Sequence, residues 1–280
     1  MRAHKSIQRG FTLVEIIIVV VLLAVLAIYS FSFLGIGSEI VAQVGSRTQL
    51  VAEQRFAVER LNREIRSAVP RSARSNGACL EFMPMLGSNV YLSLPRPGPG
   101  GSNPMVVVTP YLSLNTGNLV GSYVLVYATE PSYIYSTDQT RRKTIAAIAV
   151  DTPQNGLSTL SLAGSPSEFF TDSPSRTFYF GANPVSWCVD ESRNELVRFT
   201  NYGLSGTQPG LTTLQSSAGS QQVMAGDVAN TLSAGQTPFV VLEPTLQRSN
   251  LVRLFFAFVS SEDQSATIDI THEVYIPNVP

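Results

Sequence analysis

"RGFTLVEIIIVVVLLAVLAIYS" (residues 9–30) sets one carboxylate, Glu15, at the entry to a long apolar run. From Ile16 to Ser38, 23 consecutive residues carry no formal charge. As a helix at 1.5 Å per residue they reach about 34 Å, enough to cross a bilayer core of ~30 Å. The ten residues before the run, "MRAHKSIQRG" apart from its last glycine a basic stretch, carry Arg2, Lys5 and Arg9 and no acid. That bias predicts an N-terminus in the cytoplasm, with everything after Ser38 outside. An acid within a span costs a few kcal/mol and points to function, so Glu15 needs a partner. A cleaved secretory signal, with "GIGS" (35–38) as its cut site, leaves Glu15 unexplained, and so does a plain anchor.

The basic leader, the run Gly-Phe-Thr-Leu-x-Glu and the long apolar helix together resemble the type IV prepilin (class III) signal. The resemblance implies that prepilin peptidase cuts between Gly10 and Phe11 and that the new amine on Phe11 is N-methylated. Losing the leader takes Lys+Arg from 19 to 16 against 20 Asp+Glu, a side-chain charge of −4. Glu15 then has a partner in the charged amine of a neighbouring Phe11. Opposite charges in a low-dielectric setting attract strongly, and removing one leaves a buried orphan. Glu15 is therefore expected to act in assembly.

The helical pattern continues past the span. Ile40, Val44, Val51, Val58, Leu61 and Ile65 recur at spacings of three, four or seven, and the opposite face carries Arg47, Glu53, Arg55, Glu59, Arg60, Arg63, Glu64 and Arg66. This is an amphipathic helix whose apolar stripe seats a sheet and whose charged face meets solvent. Glu59 and Arg63 form an i,i+4 pair on that face. Pro70 stops the helix, and Gly35 and Gly37 mark a place for a bend. Beyond residue 70 the sequence turns to short β runs between turn clusters, without intervening helical periods, which predicts antiparallel sheet and an α+β fold. Alternation is clearest in "ATIDITHEVYI" (266–276), where Ile268, Ile270, His272, Val274 and Ile276 share one face. "PRPGPGGSNP" (95–104) reads as a loop, and "QQVMAGDVANTL" (221–232) as a short helix. The organisation is a leader over 1–10, a transmembrane and filament-core helix over 11–38, an amphipathic helix over 39–69 and a β-rich globular periplasmic domain over 70–280.

Catalytic and ligand signals are weak. There is no G-x-S-x-G, Walker loop or G-x-G-x-x-G, and His272, isolated among apolar neighbours, reads as packed rather than as a general base. No enzyme activity and no cofactor is expected. With only His4, His272, Cys79 and Cys188, the chain lacks the ligands for a zinc site. Asp190, Glu191 and Glu195 cluster in "CVDESRNE" (188–195) but without the spacing of a calcium loop, so no metal is expected either. Tyr123, Tyr127, Tyr133 and Tyr135 offer a sugar platform, which alternating strand faces explain more cheaply. Trp187 reads as a core aromatic beside Cys188. Two distant cysteines in an exported chain pair as one disulfide, here Cys79–Cys188. A formal charge of −1 gives no reason to expect nucleic acid.

"AVERLNREIRSAVP", "CLEFMP", "SWCVD", "LQRSNLVRLFFAFV" and the ending "THEVYIPNVP" resemble the large minor pilins of the mannose-sensitive haemagglutinin (MSHA) pilus system. More loosely, they resemble the W-type minor pilins and the J-type pseudopilins. Those relatives often carry a further cysteine before the phenylalanine of "GQTPF" (235–239), which this chain lacks. The resemblance implies a minor pilin in pilus biogenesis, with adhesion as a secondary property. A head of ~200 residues that would crowd a filament at every position predicts a place at or near the tip, where assembly starts. The alternative it leaves open is a pseudopilin of a type II secretion piston. The implied partners are other major and minor pilins, prepilin peptidase, the inner-membrane assembly platform and, before assembly, membrane lipid. The implied locations are the inner membrane and then the pilus at the cell surface. Mass spectrometry of the mature chain should find Phe11 as its first residue, methylated at the amine. A terminus near residue 38 would mean an ordinary signal peptide.

Overall fold

The computed structural model describes residues 12–98, 103–109, 119–137, 140–150, 156–217, 219–242, 250–259 and 267–277. The chain divides into two units, Met1–Leu50 and Val51–Pro280. In the first, the described residues are helical from Leu13 onward, and helical assignment runs through Gly35 and Gly37 without a break. The helix, α1, spans Leu13–Arg66 and so supplies the second unit with its first element. It ends before Pro70: Ala68 already bridges to Pro84, and Ser67 donates its hydroxyl back to the Arg63 carbonyl (3.1 Å).

The second unit is antiparallel throughout its described strands, as the α+β reading requires, but its strands fall into three groups. A five-stranded sheet has the order β1 (Arg74–Ser75), β2 (Cys79–Phe82), β9 (Val185–Asp190), β10 (Glu195–Thr200), β11 (Ser220–Ala225). A three-stranded sheet runs β12 (Phe239–Leu242), β13 (Asn250–Val259), β14 (Thr267–Ile276). Between β2 and β9 the chain leaves the sheet and builds a closed barrel. Its strands are β3 (Met85–Ser93), β4 (Met105–Val108), β5 (Tyr123–Val126), β6 (Arg142–Val150), β7 (Leu157–Ala163) and β8 (Thr177–Gly181), ordered β3-β4-β7-β6-β5-β8.

The barrel was not expected from the sequence, and neither was β7. Its "LSTLSLA" is rich in Ser and Thr, yet Ser158, Leu160 and Leu162 alternate into the barrel interior. The interior is filled by side chains, among them Met105, Val107, Val124, Phe178 and Phe180, as in other small barrels. Phe178 and Phe180 meet edge-to-face at 4.9 Å. First and last strands close on each other where Met85 pairs with Gly181. A Cβ at Gly181 would run into the buried side chains of Met83 and Leu125, which would have to shift to admit it.

The end of α1 sits on the inner faces of both sheets. Ala57, Val58, Leu61 and Ile65 share one buried cluster with Phe82, Trp187, Leu196, Leu254, Phe256 and Val274. Among the side chains described, burial along α1 begins at Gln54 and Ala57, while Val44, about three turns before Gln54, is exposed. On β14 the expected alternation holds: Val274 and Ile276 are buried, Ile268, Ile270 and His272 are half-buried, and the intervening residues are exposed. Other local expectations fail. Residues 220–225 form strand β11, not helix, because Leu196–Thr200 offers an unpaired strand edge beside them. Helix appears instead at α3 (Leu211–Ser216) and at a short 3₁₀ turn, Leu232–Ala234. The tyrosines do not alternate along a strand: Tyr133 and Tyr135 lie on the short helix α2 (Pro131–Tyr135).

A buried charge anchors the other face of the five-stranded sheet. Glu81 stands opposite Arg74 across β1–β2 and is fully buried. Its Oε2 accepts from Arg74 Nε (2.5 Å) and its Oε1 from the Tyr202 hydroxyl (2.9 Å), which also meets Ser186 Oγ (2.8 Å). Arg74 in turn lies over the Tyr135 ring (3.8 Å) and donates to the Ser205 and Gly206 carbonyls. Burial raises the Glu81 carboxyl above its usual value, and Arg74 and Tyr202 pull it part of the way back. Burial and the Glu81 charge push the Tyr202 hydroxyl far up. Arg74→Met should cost about 3–5 kcal/mol of stability at neutral pH, the figure for orphaning a buried charge. Because Glu81 then titrates above its unfolded value, that deficit should shrink as pH falls toward about 4.5. Arg74→Met/Glu81→Gln should recover part of it. Denaturant unfolding followed by Trp187 fluorescence measures all three.

Candidate assembly site

At the start of α1, Thr12 acts as the N-cap. The Glu15 N–H donates to Thr12 Oγ1 (3.3 Å) and the Ile16 N–H to the Thr12 carbonyl (3.3 Å). Thr-x-x-Glu is the sequence of a capping box, and a carboxylate in the first turn also gains from the helix dipole, about 0.3–1 kcal/mol where exposed. Glu15 is exposed on this first turn. The local helix start therefore favours a carboxylate there, independently of any charge pairing between subunits. Gly10 and Phe11, the expected processing residues, lie outside the described residues.

From Leu13 to Phe31 the helix has a mean hydropathy of 2.9, and none of that stretch is buried by the chain itself. At 1.5 Å per residue these 19 residues reach about 28 Å, close to the hydrocarbon thickness of a bilayer. An apolar surface of this extent is not left in water by a soluble protein. Its pattern is that of a single-pass membrane anchor.

The opposite end of α1 is fixed by a residue the sequence had placed on a solvated face. Glu64 is half-buried: its Oε1 accepts from Arg60 Nε (3.2 Å), and its Oε2 from Arg198 Nε on β10 (3.0 Å) and from Trp187 Nε1 on β9 (3.1 Å). Trp187 is fully buried, so its N–H has to find a partner inside the protein. Trp187 and Cys188 are adjacent in sequence but point to opposite faces of β9. Trp187 faces α1, while Cys188 joins Cys79, Phe199 and Leu214 on the other side. The expected Glu59–Arg63 pair is replaced by Arg55–Glu59 (3.0 Å), also i,i+4 and largely exposed. Among the signals available, only the apolar 3–4 spacing around Glu64 hinted that it borders the buried stripe.

Cys79 and Cys188 form a disulfide between directly opposed residues of β2 and β9. In the acidic cluster, Asp190 and Glu191 are hydrogen-bonded within the chain. Asp190 Oδ1 accepts from the Ser192 N–H (3.0 Å) and hydroxyl (2.5 Å), and Oδ2 from Gln215 (2.9 Å). Burial works to raise its carboxyl, but these bonds outweigh it and leave the group below its usual value. Glu191 Oε1 accepts from the Leu232 N–H. No group of three or more metal-ligating side chains occurs among the described residues.

Residues 5–31 match the family described as the prokaryotic N-terminal methylation motif. Comparison with curated proteins and with solved structures gives no match. The match covers the second half of the basic leader from Lys5, the junction at Gly10–Phe11, Glu15 and the whole bare stretch of α1, and it supports a pilin-like or pseudopilin-like role for the chain.

Glu64→Ala should lower the unfolding free energy by about 1–3 kcal/mol, the cost of leaving a buried indole N–H and its neighbouring guanidinium without an acceptor. Glu59→Ala, on the exposed face, should stay within about 0.5 kcal/mol of the parent. Paired denaturation curves on the two variants test the distinction.

Proposed function

We propose that this chain is a minor type IV pilin of the MSHA kind, made as a prepilin and cut between Gly10 and Phe11 by prepilin peptidase. The observation that carries the reading is the methylation motif at 5–31, which contains a strongly apolar helical stretch of 19 residues, Leu13–Phe31, that the chain leaves uncovered. Such a surface suits lipid first and the packed helices of a filament afterwards. The basic leader keeps the N-terminus in the cytoplasm and the β-rich domain in the periplasm. Glu15 meets the methylated amine of a neighbouring Phe11 as the subunit leaves the membrane, so that its charge is neutralised only in the assembled state. The role is structural rather than catalytic, and the partners are the other major and minor pilins and the inner-membrane assembly platform.

Position in the filament follows from size. Subunits in a helical filament repeat one contact at every step, so each head must fit beside copies of itself. A barrel built between β2 and β9 enlarges this head well beyond a helix and one sheet. At the filament end, neighbours are missing on one side and the crowding is relieved. The chain therefore acts at low copy number at or near the tip, where it helps start assembly together with other minor pilins. Quantitative proteomics of sheared pili from cells carrying the parent chain or Glu15→Val tests the reading. The parent should be present at a small fraction of the major pilin, and Glu15→Val should still be cut at Gly10 yet fail to support normal piliation. Abundance equal to the major pilin would refute the tip position, and normal piliation by Glu15→Val would refute the charge pairing.

A further inference from the structure

A cleft of about 310 Å³ opens between the segment that follows α1 (Val69, Pro70, Arg71) and the barrel strands β5 and β8. It lies at the small end of the ~300–1,000 Å³ usual for small-molecule sites, which suits a single ring rather than a chain of them. Its backbone is unusual. Six described non-glycine residues have φ between 50° and 65°. Three of them, Asn194, Asn201 and Asp227, are of the types that tolerate the left-handed region. The other three are bulky residues for which that conformation is costly, Arg71, Tyr127 and Arg176. Arg71 and Tyr127 line the cleft, and Arg176 sits between its lining residues Ser175 and Thr177. Strain of this kind survives where the surroundings impose it and gathers at ligand sites.

The surroundings do impose it. Arg71 Nη1 donates to the Thr129 carbonyl (2.9 Å), and from the barrel side Arg141 Nη1 donates to the Tyr127 carbonyl (2.7 Å) and to Thr129 Oγ1 (3.0 Å). These bonds hold residues 127–129 in place, with Arg141 over one face of the Tyr127 ring (5.4 Å) and the residue still 42% exposed. Across the cleft, Ser173 Oγ meets Ser175 Oγ (3.2 Å), which donates to Thr177 Oγ1 (3.0 Å), so three hydroxyls form a ladder. Leu125, Val69 and Pro70 give an apolar floor. Among the described residues no carboxylate lines the cleft, and Asp172, next to the ladder in sequence, is taken up by Arg96 and the Tyr91 hydroxyl.

We infer that this cleft binds one acidic sugar ring of the uronic-acid class. A pyranose presents an apolar C–H face to Tyr127 and the floor, and a hydroxyl rim to the Ser173–Ser175–Thr177 ladder. Its carboxylate goes to the Arg71 guanidinium, whose planar fork suits it. Aromatic face, apolar floor, hydroxyl ladder and uncompensated arginine coincide here, which a neutral sugar would not require. The inference stands apart from the pilin reading, since it concerns the head alone.

The test is ligand-observed NMR and titration calorimetry on the full chain in detergent, with glucuronate, glucose and acetate as probes. Glucuronate should bind saturably, with glucose and acetate each weaker by about tenfold or more, the loss expected for one charge-assisted hydrogen bond or for the ring contacts. Arg71→Gly keeps the left-handed backbone and should abolish the preference for glucuronate over glucose. Tyr127→Asn, also tolerated at positive φ, should weaken both sugars. Unchanged unfolding curves would show that both variants fold. Absence of saturable glucuronate binding, equal binding of glucose, or indifference to both substitutions would each overturn the inference.

Discussion

Four cross-strand pairs between β2 and β9, from Cys79–Cys188 to Phe82–Val185, carry most of the second unit's organisation. One face of this short ribbon holds Leu80, Phe82, Val185 and Trp187 against α1. The other holds the disulfide and Glu81, covered by Tyr202 and the segment that leads into α3. The ribbon is also the neck of the barrel, since everything from Met85 to Gly181 leaves after β2 and returns before β9. A disulfide across that neck closes 109 residues of sequence separation, and it does so on the sheet side of the barrel. The pairing of β2 with β9 is thus held independently of how well the barrel folds. Cross-linking a loop that long removes much of the unfolded chain's freedom, about 4–5 kcal/mol on a chain-entropy estimate.

The same ribbon explains how the sheet holds a fully buried carboxylate, Glu81, on one side and a half-buried one, Glu64, on the other. Glu81 and Glu64 lie on opposite sides of the five-stranded sheet, each bonded to an arginine and to an aromatic hydroxyl or indole. Glu81 has Arg74 and Tyr202, and Glu64 has Arg198 and Trp187. A buried ion pair adds little net stability over an apolar pair of the same shape. Its value lies in geometry: a one-residue slip of β9 would carry Trp187 away from Glu64, and Ser186 away from the Tyr202 hydroxyl that bonds Glu81, so each cluster would lose one of its hydrogen bonds. Register of β9 against β2 and β10 is therefore specified by polar satisfaction as well as by the disulfide.

What the sequence disclosed follows from which forces are local. The bare helix was legible because hydropathy and length act residue by residue, and the basic leader and Glu15 stand next to it. The α+β class and the face of β14 were legible because strand alternation is local too. The barrel was not, since closure depends on β3 finding β8 some ninety residues later, and no spacing in the sequence announces it. Strand β11 was misread because "QQVMA" has no preference strong enough to resist the open edge of β10. Glu59 and Glu64 were misassigned on a helix whose charged face offers several i,i+4 partners, and the choice was made by Trp187 and Arg198 from other strands. Acids in the fully buried strand "CLEF" and beside the apolar stripe were the available hints, and both needed tertiary partners to interpret.

The helix and the barrel obey separate constraints, and the neck is what permits it. The bare stretch of α1 cannot vary freely, because all of its apolar surface has to be covered from outside the chain. Strands inserted between β2 and β9 do not touch that requirement. The helix seat is built from Leu80, Phe82 and Trp187, all on the sheet side of the neck, so the barrel can change without altering the packing of Ala57, Leu61 or Ile65. The strained residues Tyr127 and Arg176 lie in that insert, and Arg71 lies in the linker beside it. Backbone strain that would be costly within the helix or its seat is thus placed where only the barrel and its cleft have to tolerate it.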